Sequence, residues 1–225
     1  LYHRAWEKST EIAEEICVFL QGIPGVKSTE IIGSLAKGNF DKYSDIDIEV
    51  DVSGMDNGQF LIELPKLLTE KYDIVYCDYA PSLAPHKYIV SFAADIPNPF
   101  GFVDISCVAT PHCPTVTKQE LQSLNRLYDH TFKLFAINLK HYLRKWDCYD
   151  DIVSMYKRIC GEDAMERDEA YMLEATYAWL MEHADEEYYG SLALSGAGIY
   201  FCGGDAVHSL QFIRGKILSC RKSLR

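Results

Sequence analysis

"IIGSLAKGNFDKYSDIDIEVDV", residues 31–52, decides how this chain is read. A short apolar run ends in Gly33-Ser34, and a second run follows in which polar and apolar residues alternate from Asp45 to Val52. Strict alternation is the signature of a strand with one face in a core. On such a strand Asp45 and Asp47 share one face, while Ile46 and Ile48 share the other. Two carboxylates a few ångströms apart repel unless something positive sits between them. A divalent cation meets that need, and an all-oxygen donor set selects Mg²⁺ or Mn²⁺ over zinc. The plainer alternative is a polar strand face on which both aspartates are simply solvated.

The residues upstream add a second element. Gly33-Ser34 falls where the first strand ends, and "SLAKG" can open a short helix. Glycine lets a ligand approach the backbone closely, and the following N–H groups with the Ser34 hydroxyl suit phosphate oxygens. Lys37 can add a point charge to the same phosphates. A phosphate cradle and a carboxylate pair thus lie ten residues apart on consecutive strands. That is equipment for a nucleoside triphosphate and its metal.

"GS", ten residues, then "DID" between apolar neighbours resembles the signature of the DNA polymerase β-like nucleotidyltransferase superfamily. The string "GSLAKGNFDKYSDIDIEV" is most similar in pattern to the antibiotic (aminoglycoside and lincosamide) nucleotidyltransferases. Lys37 stands where the family often has Arg. The resemblance covers roughly residues 25–110. It implies an α/β (α+β) nucleotidyltransferase domain with a mixed sheet, with ATP or another nucleoside triphosphate as co-substrate. It also implies attack of an acceptor hydroxyl at the α-phosphorus, with pyrophosphate leaving.

The family calls for a third carboxylate on a later strand. Asp104, in "GFVDISCVA", is favoured by its flanking Val103 and Ile105, and Asp78, in "IVYCDYAP", is the competitor. Asp73 and Asp95 read as turn residues at strand ends. Asp45, Asp47 and Asp104 are therefore the expected catalytic and metal-binding set. Gly33, Ser34 and Lys37 are the expected nucleotide-binding set. The resemblance also implies that Asp104 can take the acceptor's proton, although some relatives use another carboxylate.

Around this centre, residues 4–21 read as an amphipathic helix ended by Gly22 and Pro24. "GQFLIELPKLLTEKY" reads as a second helix that Pro65 kinks or splits. "DIVYCDY", "KYIVSFAA" and "FGFVDISCVA" read as strands, the last two joined by a turn at "DIPNPFG". After "TPHCP", residues 110–114, helical periodicity takes over. "KQELQSLNRLYDHTFKLFAINLKHYLRKW" has long helical periodicity, and "DDIVSMYKRIC", "DEAYMLEATYAWLMEHA" and "AVHSLQFIRGKILSC" follow suit. The expected organisation is a nucleotidyltransferase domain over 1–112 and an all-helical domain over 113–225.

The 225 residues are 48% hydrophobic and 24% charged, as in a globular protein. Eight cysteines without a CxxC pair read as buried free thiols, which suits a reducing cytoplasm. The opening residues are charged and amphipathic, unlike a secretory signal, and no run is long enough to span a membrane. The net charge of −11 makes nucleic acid an unlikely partner and suits a small cationic ligand; the resemblance implies a small hydroxylated acceptor, such as an aminoglycoside, and hence antibiotic resistance. The alternatives are transfer to a protein or RNA, as in toxin–antitoxin systems, or a silent nucleotide-binding module. The glycine-rich stretch 190–209 lacks the strand-then-helix setting of a nucleotide loop and reads as a connection between helices. The acidic "MEHADEEYYG" reads as a solvated helix end, and the seven histidines have no metal spacing.

Overall fold

The alternation that opens the sequence reading is realised as burial. From Ser44 to Val50 every second residue is buried, and Ile48 and Val50 have no exposed surface. The computed structural model describes residues 2–41, 43–72, 76–80, 87–93 and 102–183. In chain order these are α1 (Tyr2–Gln21), β1 (Ser28–Ile32), α2 (Gly33–Ala36), β2 (Ile46–Asp51), α3 (Asn57–Leu68), β3 (Tyr76–Ala80), β4 (Lys87–Ala93), β5 (Phe102–Val108), α4 (Lys118–Ser123), α5 (Leu127–Leu143), α6 (Tyr149–Cys160) and α7 (Glu169–His183).

The strands form one mixed sheet in the order β1-β2-β5-β4-β3. Among the described strands only the central β2–β5 pair is parallel. Cross-strand partners share a face, so Ile31, Ile48, Ile105 and Tyr79 fall on one side. Helices α1 and α3 cover that side: the Thr29 hydroxyl donates to the Cys17 carbonyl of α1, and the Tyr79 hydroxyl donates to the Leu61 carbonyl of α3. Ala13, Ile16 and Leu20 of α1, with Leu61 and Leu64 of α3, complete a core without exposed surface.

Pro65 sits inside α3 without ending it. Proline lacks an N–H, so the carbonyl four residues earlier loses its helical partner. That carbonyl belongs to Leu61, and the Tyr79 hydroxyl reaches it at 3.1 Å. Burial, with a smaller contribution from Cys77, pushes the Tyr79 phenol far above its ordinary range, so the donor proton stays in place. A sheet residue thereby satisfies the gap that sequence reasoning expected to kink the helix.

The chain divides into two units after Asn125, beyond the expected boundary near residue 112. The intervening residues belong to the sheet unit because they are bonded to it. Asn125 pairs its side-chain amide with the backbone of Tyr79 on the edge strand, accepting from the N–H at 2.7 Å and donating to the carbonyl at 2.9 Å. Asp56 caps α3 through the N–H groups of Gly58 and Gln59 and also accepts from the N–H and hydroxyl of Thr115. The run 118–146 is accordingly two helices, α4 and α5, interrupted at residues 124–126. In the second unit α5, α6 and α7 pack through Phe135, Leu139, Ile152, Met155, Leu173 and Leu180. The expected turn at "DIPNPFG", Asp73, Asp95, the glycine-rich stretch, most of the acidic cluster and the last expected helix lie outside the described residues.

Tyr79→Phe should lower the free energy of unfolding by about 1–3 kcal/mol, the cost of a stranded buried carbonyl, measurable by urea denaturation. Asp56→Ala should cost about 0.5–2 kcal/mol at neutral pH. Burial opposes ionisation of Asp56, but hydrogen bonds from Thr115, Gln59 and Gly58 outweigh it and hold the carboxyl below its ordinary range. A depressed folded-state pKa contributes stability above the unfolded value of about 3.9 and loses it as pH falls through the folded value. The difference between wild type and Asp56→Ala should therefore narrow in the acid limb of a thermal-melt series.

Candidate active site

The face opposite the helices carries the carboxylates. Register pairs Asp47 of β2 with Asp104 of β5, and Asp47 on its other side with Ile32 of β1. Asp47 and Asp104 are thus neighbours on one face, each partly exposed. Their flanking residues Ile46, Ile48, Val103 and Ile105 point the other way into the core. Asp45 sits one residue before β2 and shares the partly exposed phase of the burial alternation with Asp47.

The approach to Asp45 is tied down locally. Asp41 accepts from the Tyr43 N–H at 2.9 Å and from the Ser44 hydroxyl at 3.0 Å. The Ser44 N–H donates to the Asp41 carbonyl, and the Asp41 N–H donates to the Ser44 hydroxyl oxygen. Sequence reasoning passed over Asp41 and Ser44. The signal was present, since Asp and Ser spaced this way favour side-chain-to-backbone turns.

Gly33 has a role beyond the one expected. Its φ of +69° lies in the left-handed region, and a Cβ there would stand 1.9 Å from Asp47 Oδ2. The space a side chain would fill holds the Asp47 carboxylate. Next to it, Ser34 Oγ is buried and has no hydrogen-bond partner. Lys37, at the C-cap of α2, is exposed.

Asp78 occupies the same row. Register runs Asp78 (β3), Ser91 (β4), Asp104 (β5), Asp47 (β2), so Asp78 shares their face but stands three strands from β2. At a strand spacing of about 4.8 Å that is roughly 14 Å, too far for one ion to touch both Asp47 and Asp78. Asp78 has no exposed surface.

These residues suit a divalent cation and a phosphate by chemistry: oxygen-only donors, an orphaned buried hydroxyl and a glycine that makes room for a carboxylate. Among the described residues no three His, Cys, Asp or Glu side chains form a group that could hold a metal ion as they stand. Asp47 and Asp104 are paired in register on one face, and Asp45 stands one residue before β2.

Residues 10–97 match the family model described as a nucleotidyltransferase domain. The sheet unit has the fold of a nucleotidyltransferase domain. Among similar solved structures is the Cid1 poly(U) polymerase bound to MgATP, in a mutant form, with a TM-score of 0.39, 13% identity, and coverage of 68% of this chain and 50% of that one. A second Cid1 structure, described by its RNA terminal uridylyl transferase activity, gives a TM-score of 0.33 and 19% identity, covering 70% of this chain and 39% of that one. The GLD-2/RNP-8 complex gives a TM-score of 0.38 and 10% identity, covering 78% of this chain and 77% of that one. The chain therefore spans half or less of the first two structures it resembles. No curated protein is similar enough to the chain to count as a match.

These findings correct one expectation. Nucleic acid was expected to be an unlikely partner, yet the Cid1 structures are named for a poly(U) polymerase and an RNA terminal uridylyl transferase. The acidic net charge describes the whole chain and not the sign at one face. Around a bound cation the local sign inverts, so a carboxylate site can face a polyanion. None of the three structures named above is an antibiotic transferase. No described helix is long and apolar enough to cross a membrane.

Gly33→Ala should push the Asp47 carboxylate aside and strain the backbone by about 1–2 kcal/mol. The expected readout is weakened Mn²⁺-dependent ATP binding by calorimetry, with a small drop in melting temperature. Unchanged binding would show that the contact between Gly33 and Asp47 has no bearing on the site.

Proposed function

We propose that the sheet unit transfers a nucleoside monophosphate from a nucleoside triphosphate to an acceptor hydroxyl, with a divalent cation as cofactor. The observation that carries this reading is the in-register Asp47–Asp104 pair, with the Asp47 carboxylate packed against Gly33. Asp45, Asp47 and Asp104 would hold the cation, Mg²⁺ or Mn²⁺ by donor chemistry. When bound it would lower the pKa of the acceptor hydroxyl and offset charge on the leaving pyrophosphate. The Ser34 hydroxyl, buried and unpartnered, is free to donate to a phosphate oxygen. Lys37, exposed at the end of α2, is available as a point charge for the same triphosphate.

In the reaction the acceptor oxygen bonds to the α-phosphorus and the bond from that phosphorus to the bridging oxygen of pyrophosphate breaks. The acceptor proton passes to an Asp104 carboxylate oxygen, the member of the pair farther from the Gly33-Ser34 turn. We take the acceptor to be an RNA hydroxyl, the class that names the Cid1 structures. Protein and small hydroxylated acceptors serve as comparison arms.

The test incubates the protein with labelled nucleoside triphosphates, Mg²⁺ or Mn²⁺, and an RNA oligonucleotide. Extended RNA is the expected product. Asp104→Asn should cut turnover by about 10² to 10⁴-fold while triphosphate still binds. Label on a protein or a small molecule alone would reassign the acceptor. No product in any arm, or full turnover by Asp104→Asn, would overturn the mechanism.

A further inference from the structure

Of the three acids read as cation ligands, Asp45 is held differently from the other two. Asp47 is paired in register with Ile32 on one side and Asp104 on the other, and Asp104 is paired in turn with Ser91. Pairing of β2 with β5 begins at Ile46, so the ladder that aligns Asp47 and Asp104 stops short of Asp45. A residue beyond the last rung keeps backbone freedom unless something else removes it. Four hydrogen bonds close residues 41–44, immediately before Asp45. Asp41 Oδ1 accepts from the Tyr43 N–H at 2.9 Å and from the Ser44 hydroxyl at 3.0 Å. The same hydroxyl oxygen accepts from the Asp41 N–H at 3.0 Å, and the Ser44 N–H donates to the Asp41 carbonyl at 3.1 Å. Ser44 is only 3% exposed, in phase with the buried Ile46 and Ile48.

We propose that Asp41 is a positioning residue for the cation site: its carboxylate, used as a hydrogen-bond acceptor, locks the turn that sets Asp45 at the head of β2. The inference rests on the reading of Asp45 as a cation ligand. Both donors converge on one oxygen, a task that an amide oxygen performs as well as a carboxylate oxygen. Asp41 is exposed, so water and salt screen its charge. The turn that it closes acts instead on the backbone next to Asp45. Support of this kind, one step behind a ligand, is worth about 10- to 100-fold in metal affinity.

Asp41→Ala removes the acceptor, whereas Asp41→Asn removes the charge and keeps an oxygen in its place. Titration with Mn²⁺ alone, followed by calorimetry or by the paramagnetic signal of the free ion, should show about tenfold weaker binding in Asp41→Ala. Asp41→Asn should bind within a fewfold of wild type, a rescue that an effect of charge would not give. In an Asp45→Ala background, Asp41→Ala should cost nothing more, because the ligand that it positions is already gone. Ser44→Ala, which removes two of the four bonds, replaces Asp41→Ala should that variant fail to fold. Each variant's melting temperature is recorded without metal. Unchanged Mn²⁺ affinity in folded Asp41→Ala overturns the proposal. An equal loss in Asp41→Asn does so too, as does a further tenfold loss on top of Asp45→Ala. Those three outcomes leave the reading of Asp45 as a ligand standing. Wild type that does not bind Mn²⁺, or Asp45→Ala that binds it equally well, removes that reading and the proposal with it.

Discussion

The parallel pairing of β2 with β5 is the constraint on which the rest depends. A shift of one residue in that ladder would reverse every side chain of one strand. Asp104 would then turn toward the helices, and Val103 would turn toward the face that carries Asp47. The register is fixed by burial: Ile46, Ile48 and Val50 on β2, with Val103, Ile105 and Cys107 on β5, all lie under α1 and α3. Burying an aliphatic side chain of this size is worth about 1.5–3 kcal/mol. The apolar side of the sheet thus fixes the position of the carboxylates on its other side. Cys107 shares in this, since burial, followed by the charges of Asp51 and Asp56, pushes its thiol well above the ordinary range and leaves it an inert core residue.

The same economy runs through the elements around the pair. Gly33 ends β1 in a left-handed conformation and leaves its side-chain space to Asp47. The knot of hydrogen bonds between Asp41 and Ser44 delivers Asp45 to the start of β2. Tyr79 repairs the gap that Pro65 opens in α3, and Asn125 closes the backbone of the same tyrosine at the sheet edge. The hydrogen-bonded groups are satisfied locally in space, and with Gly33 they hold a face on which carboxylates sit side by side.

What could be read in the sequence was local. The strand carrying Asp45 and Asp47 follows from a period of two, and the turn at Gly33-Ser34 from residue type. The mixed sheet followed from the resemblance those residues carry. What could not be read was non-local. Nothing in "IVYCDYAP" says that strand order will place Asp78 in a row with Asp104, because that row exists only once β4 lies between β3 and β5. The interruption at residues 124–126 has its cause forty-six positions away, where Asn125 binds Tyr79. The reason for Gly33 was only partly visible, since the atom that needs its space belongs to the next strand. Net charge is a poor guide to the acceptor, because a sum over the chain carries no information about sign at one face.

The most direct measurement is a crystal structure grown with Mn²⁺ and a non-hydrolysable nucleoside triphosphate, with anomalous data collected for manganese. The expected result is an anomalous peak in contact with carboxylate oxygens of both Asp47 and Asp104, and the triphosphate beside Gly33-Ser34 with a phosphate oxygen accepting from the Ser34 hydroxyl. A peak ligated without Asp104, or a triphosphate seated away from that turn, would contradict it.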